Sequence, residues 1–339
     1  MTATLTDAPP RPARAHRPAL SGLGWVAWRQ HRTALLGVAA ALCICSLILV
    51  YDGLAMHRDF TTLGLARCVP GPLGSTSRDC VGRVADFHGD QNRVSQLMAA
   101  FLPLPVLFGL FLGAPLLARE YESGTYRFAF TQGAGRTRWL VTKIVVLTVF
   151  TIAAATAFTG LVMWWYGPLI PLDGRIGQTG IPEIYGAVFV ARAVFAFAVG
   201  ILAGALLRRV VAAVGATLAV WIAVVVPSIT ALRPHLMSPV TLVNRPDSAV
   251  GLIVSDTWRA PTGTVLNSSQ LSDLLYNASV AGHKFDAYPY LYSRGYVHTE
   301  VYQPAGRFWD LQFIEAGGLA VLSLALLVAA VWFVRHRAA

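Results

Sequence analysis

Six apolar runs set the limits on this chain. Residues 34–50, 97–118, 144–166, 184–207, 210–229 and 313–334 are nearly unbroken stretches of Leu, Val, Ala, Ile, Phe and Gly. About 20 such residues, wound as a helix, cross the roughly 30 Å hydrocarbon core of a bilayer. Composition points the same way. Of the 339 residues 55% are hydrophobic and 13% charged, and mean hydropathy is +0.56, which a soluble domain of this length rarely combines. Inside lipid every backbone polar group needs a partner from its own segment, so the expected fold class is all-α: an integral membrane protein with six transmembrane helices. The second run holds Pro103, Pro105 and Pro115. A spanning helix keeps such prolines where bends and neighbouring helices satisfy the freed carbonyls, so a kinked helix inside the bundle is expected.

The distribution of charge orients the spans. With the N-terminus inside, the inner segments carry fourteen basic residues against Asp7, Glu120 and Glu122, while the outer loops carry twelve basic and thirteen acidic ones, and Arg192 and Glu315 lie within spans. The net charge of +10 is therefore an inside excess, a topology signal, and gives nucleic-acid binding no support. The expected order is a cytoplasmic tail and interfacial helix (1–33), a first span (34–50), an extracytoplasmic loop (51–96), a second span (97–118) and a cytoplasmic loop (119–143). Spans at 144–166, 184–207 and 210–229 follow, then an extracytoplasmic domain (230–312), a last span (313–334) and a cytoplasmic tail (335–339). No cleavable signal is expected, because residues 1–18 are rich in Pro, Ala and Arg and have no short apolar core. The stretch "SGLGWVAWRQHR" that follows pairs tryptophans with a basic flank, which suits either a helix lying in the inner interface or a basic stop at the end of the first span.

The outer loops are uneven. The domain at 230–312 is too long for a turn; "SQLSDLLYNASVAG" has helical spacing and "YVHTEVYQP" alternates as a strand, so a small folded cap is expected. Its many tyrosines suit either a ligand surface or ordinary interfacial packing. Cys68 and Cys80 lie in the outer loop 51–96 beside Pro70, Gly71, Pro72 and Gly74. In an oxidising compartment they form a disulfide; otherwise they are two nearby free thiols. Cys43 and Cys45 read as small buried residues of the first span.

The spans are almost free of ionisable groups. Arg192 lies about eight residues, or roughly 12 Å, into the fourth run, and Glu315 sits near the outer end of the last one. An unpaired arginine there costs about 2.5–3.5 kcal/mol on insertion scales. Arg192 therefore either pairs with Glu315 or snorkels to the outer headgroups. So few buried carboxylates and histidines argue against a proton-driven carrier. The histidines show no metal-binding spacing. The only lysines, Lys143 and Lys284, are not preceded by the glycines of a phosphate-binding loop. No catalytic residues, metal site or cofactor are expected in this chain.

One connection stands apart. "AREYESGTYRFAFTQGAGRTRW", residues 118–139, puts four arginines, two glutamates and three glycines between two apolar runs. Arg119 and Glu120, then Gly124 and Thr125, then Thr137 and Arg138 (or Gly135 and Arg136) and Lys143 resemble the first cytoplasmic loop of ABC-2 type transporter permeases. Tyr126 and Arg127 stand where that family often has an acidic residue. "WRQHR", "YQPAGRFW" and the closing "VWFVRHR" look like the actinobacterial version of the family. The resemblance implies a coupling element formed by Arg119, Glu120, Glu122, Gly124, Thr125, Arg136, Arg138 and Trp139. There a short helix would dock into a separate ATP-binding subunit, which would hold the ATP and Mg. The other reading of the same residues is a solvated loop whose charges set topology.

The expectation is thus the permease subunit of an ABC-2 type exporter in a bacterial plasma membrane, both termini cytoplasmic. It would pair with a second permease copy and with ATP-binding subunits, and move an amphipathic or hydrophobic substrate by alternating access. The alternative is a non-transporting sensor or immunity protein that binds a peptide or antibiotic through its outer domain.

Overall fold

A computed structural model describes residues 19–68, 78–88, 91–124, 136–176, 181–244, 251–283 and 287–337. The chain opens with α1 (Ala19–Thr62) and continues through α2 (Arg78–His88), α3 (Gln91–Phe101), α4 (Leu104–Leu107), a π-helical turn over Phe108–Gly113 and α5 (Ala114–Ser123). Next come α6 (Arg136–Trp165), the short α7 (Ile170–Asp173) and α8 (Ile181–Ile184), α9 (Ala187–Leu207) and α10 (Val210–Pro227). The last part comprises β1 (Val240–Val243), β2 (Gly251–Arg259), α11 (Ser268–Val280), α12 (Ala287–Ser293), β3 (Val297–Pro304) and α13 (Phe308–Arg337). Six of these stretches are long and apolar enough to cross a membrane: α1, the bent α3–α5, α6, α9, α10 with its continuation to His235, and α13. The all-α membrane class holds.

The basic, tryptophan-bearing stretch at the N-terminus is helical and runs into the first span without a break. At about 1.5 Å per residue the 44 residues of α1 reach about 66 Å, twice the hydrocarbon thickness. At its far end Asp52 accepts a hydrogen bond from Trp165 Nε1 of α6 at 2.8 Å, and the His57 ring stacks on Trp164 with centroids 4.8 Å apart. Cys43 is exposed and faces outward from the helix, where its composition suggested burial, while Cys45 is half-buried and packs against the core. In an apolar run a thiol is as comfortable against lipid as against side chains, because it behaves as a small hydrophobe.

The second span bends as its prolines require. The helix breaks after Phe101 at Leu102 and Pro103, restarts, and opens into the π turn before Ala114. This bent segment packs against α9, the most enclosed of the six spans, which also touches α6, α10 and α13. Two pairs of glycines allow the approach. Gly109 and Gly113 on one side meet Gly200 and Gly204 on the other. A Cβ on Gly109 would sit 2.4 Å from the Ala196 carbonyl oxygen, and one on Gly200 would sit 2.6 Å from that of Gly109. Each pair is spaced four apart, the small-residue pattern that lets membrane helices pack backbone to backbone.

α9 and α10 form a hairpin joined by Arg208 and Arg209. Arg208 takes the left-handed conformation (φ 56°) and donates its N–H to the Gly204 carbonyl, closing α9. At the other end lies the cap, an antiparallel sheet in the order β1–β3–β2 with α11 and α12 beside it. The expected strand is β3 and the expected helix is α11, whose first turn is closed by a reciprocal pair of bonds between Asn267 and Gln270. The side of β3 that turns inward carries His298 and Glu300. His298 stacks on Trp258 with centroids 4.4 Å apart and its Nε2 meets Asp256 Oδ1 at 2.8 Å. Tyr292 stacks on the same Trp258, and burial pushes its phenol up to about 12, so the hydroxyl stays protonated 3.3 Å from His298 Nδ1. These aromatics are cap core. Cys68 and Cys80 are bonded, with Cα atoms 5.3 Å apart, fastening the start of α2 to the turn after α1.

Candidate functional site

Two polar clusters and one apolar groove stand out, and each is built by several spans. At the cap end, α8, α9, the tail of α10 and α13 contribute a buried ionic cluster. Arg192 of α9 donates from Nη2 to Glu315 Oε1 of α13 at 2.5 Å, with side chains 1% and 2% exposed. The carboxylate is shared. Ser228 Oγ reaches the same oxygen at 3.1 Å, and Arg233 donates to Oε2 through Nε at 2.9 Å and Nη2 at 2.6 Å. Arg233 in turn pairs through Nη1 with Glu183 of α8. Two cations and two anions thus satisfy one another out of water, the condition on which buried charge is tolerable. Arg192 Nε and Glu183 Oε2 have no hydrogen-bond partner among the described residues.

Sequence reasoning had Arg192 and Glu315 but missed Arg233, Ser228 and Glu183. The signal was present. Arg233 follows the fifth apolar run by one helical turn, and Glu183 stands alone among Ile181, Pro182 and Ile184. Each needed a partner for the reason Arg192 did.

Just beside this cluster the chain enters α9 in irregular backbone. Gly186 has φ 89°; its N–H donates to Thr159 Oγ1 of α6 at 2.8 Å, and Gln312 of α13 accepts from Val188 N at 3.0 Å while donating to the Pro182 carbonyl at 2.7 Å. Two neighbouring spans, α6 and α13, thereby supply the bonds that a helix start lacks, as irregular backbone at membrane depth demands. From this point a groove of about 660 Å³ runs along the bundle between α6, α9 and α13, lined by Met163, Val190, Val194, Ala320 and Leu324 with Trp309 at the Gly186 end. Its lining is almost wholly apolar.

At the opposite, hairpin end the predicted coupling residues fall into three groups. Glu120 and Glu122 lie in the last turn of α5, which ends at Gly124 in the left-handed conformation (φ 67°). Carboxylates are unfavourable at the negative end of a helix dipole unless something compensates. For Glu120 the compensation is Lys143 of α6, 2.5 Å from Oε1 and itself lying over the ring of Trp139 at 4.0 Å. For Glu122 it is the positive start of α10, where Val210 N donates to Oε1 at 2.9 Å and fills the cap that Arg209 leaves open. The Arg208 guanidinium lies over the Tyr121 ring at 5.4 Å. Arg119 and Arg138 are exposed, and Trp139 is buried. Thr125 and the side chain of Arg136 lie outside the described residues, as does most of the loop between them.

A bundle of six apolar spans, bent at the second, with buried charges paired towards its two ends, defines a polytopic α-helical membrane protein. Residues 39–233, more than half of the chain, match the family described as ABC-2 membrane transporter related, and the chain belongs to that family. The matched region runs from the first span to Arg233 and leaves out the cap and α13. Comparison with curated proteins and with solved structures gives no match.

Proposed function

We propose that this chain is the transmembrane permease subunit of an ATP-driven ABC-2 type exporter. Its hairpin end would face the cytoplasm, and separate ATP-binding subunits would supply ATP and Mg. The observation that carries the reading is the wiring at the base of the loop between α5 and α6. Glu120 ties that base to α6 through Lys143, and Glu122 ties it to the start of α10. A partner pushing on the loop therefore moves three spans together, and through the glycine crossing it moves α9 as well. Family membership supports the same role. The apolar groove suits an amphipathic or hydrophobic cargo, because no fixed charge lines it, and a second permease copy would complete the pathway.

The mechanism follows from the residues present. Motor closure would press on the loop at Arg138, an exposed cation at its α6 end, and displace α5 and α10 as a unit. The bend at Pro103 and the π turn supply a hinge, since their hydrogen bonding is already irregular. At the cap end the four-residue ionic cluster holds α8, α9, α10 and α13 together and closes the outer side until that displacement reaches it.

The test is co-purification from native membranes in mild detergent, comparing the natural chain with Arg138→Glu, a substitution at an exposed residue that leaves the Glu120 and Glu122 bonds intact. An ATP-binding protein recovered with the natural chain and lost with the variant supports the reading. Recovery of the chain without any such protein, under conditions that keep other transporters assembled, overturns it and directs attention to the cap as a receptor for a peptide or antibiotic.

A further inference from the structure

We infer that a cleft between α1 and α5 at the hairpin end binds the headgroup of an anionic phospholipid, with an acyl chain lying along its apolar side. The cleft encloses about 490 Å³, and its lining includes Arg29, Arg32, Arg119, His31 and Phe111. The two helices run antiparallel, and this sorts the lining. Arg29, His31 and Arg32 come before the apolar part of α1, while Arg119, Glu120 and Ser123 come after Phe111, Pro115 and Leu116 on the bent second span. All the charge therefore gathers at one end of the cleft and all the hydrocarbon at the other. Arg32 and Arg119 stand beside one carboxylate of the lining, and that carboxylate, Glu120, is already paired with Lys143. His31 Nε2 is buried there with no hydrogen-bond partner among the described residues. Phe111, at the apolar end, is 54% exposed.

A phosphodiester with an acyl chain matches this gradient at both ends. A carboxylate from a protein partner would satisfy only the cationic end. Basic pockets between spans near the cytoplasmic surface are suited to anionic headgroups, and guanidinium groups bind phosphate oxygens in pairs. The site is separate from the exposed Arg138 on which the transport reading is tested.

The purified full chain would be examined by native mass spectrometry with equimolar dioleoyl phosphatidylglycerol and dioleoyl phosphatidylcholine. The expected result is selective retention of phosphatidylglycerol. The preference should fall about fivefold for each arginine removed in Arg32→Gln and Arg119→Gln, the equivalent of ~1 kcal/mol each, and should stay unchanged in Arg209→Gln at the hairpin tip. Elution volume in size exclusion identifies any variant that misfolds, and the two single variants stand in for the double variant if it fails. Equal retention of the two lipids, or a preference untouched by both substitutions, overturns the proposal. So does displacement of the lipid by free glycerol phosphate, which would mark a site for soluble anions. Loss of a co-purifying ATP-binding protein with lipid preference intact would assign the arginines to a protein carboxylate instead.

Discussion

Glu315 accepts from both arginines of the cap-end cluster, and that sharing makes its members unequal. Removing Arg192 leaves Glu315 with Arg233 and Ser228; removing Glu315 leaves Arg192 without a partner among the described residues and Arg233 with Glu183 alone. Breaking a buried pair from one side costs about 3–5 kcal/mol. Glu315→Gln is therefore expected to lower the unfolding midpoint in detergent by more than Arg192→Met, as read by fluorescence-detected size exclusion across a temperature series. The reversed pair Arg192→Glu with Glu315→Arg is expected not to recover, because the new arginine would face Arg233. Equal losses, or full recovery in the reversed pair, would show that Arg192 and Glu315 act as an isolated couple. The sequence pointed to that couple, since a charge inside an apolar run announces its own need. It could not show the sharing, which depends on how α8 and the tail of α10 fold back over α13.

Among the elements, the crossing of α9 with the bent second span leaves the least room for change. Gly200→Ala puts a Cβ within 2.7 Å of both Gly109 O and Ala114 N, backbone atoms that have nowhere to go. Gly215→Ala in α10 meets nothing within 4 Å and should add about 0.5–1 kcal/mol through helix propensity. Opposite signs are thus expected from the same substitution at two helical glycines, measured as unfolding midpoints. A tolerated Gly200→Ala would mean that the helices stand further apart. The bend itself was legible from Pro103, Pro105 and Pro115, and the two glycine pairs were readable in principle from their spacing. Which pair meets which was not, because spacing identifies a face but names no partner. The two loop glutamates show the same limit. Their charge suggested contacts for a docking partner, whereas each also closes an internal bond that only the packed bundle brings within reach.

For the whole molecule, the cap and the Cys68–Cys80 bridge belong on one side and the arginine-lined hairpin on the other. A membrane-impermeant maleimide applied to intact cells should label Cys68 and Cys80 only after reduction, and should fail to reach a cysteine placed at Arg138 until the membrane is opened. Reduction should also cost stability, about 3 kcal/mol on the chain-entropy account for a loop of this size. Labelling of position 138 from outside would reverse the orientation that the inside excess of arginine gives. Membrane class and span number were accessible from composition and order, since the bilayer leaves a chain so few ways to satisfy its backbone. One consequence lies in the arithmetic of the cap-end cluster. Arg192, Arg233, Glu183 and Glu315 sum to zero charge, so shifting them together along the membrane normal moves no net charge through the transmembrane field. The membrane potential, worth about 2.3 kcal/mol per charge per 100 mV, does no work on such a motion. Opening and closing at this end would therefore be equally easy in an energised and a depolarised cell.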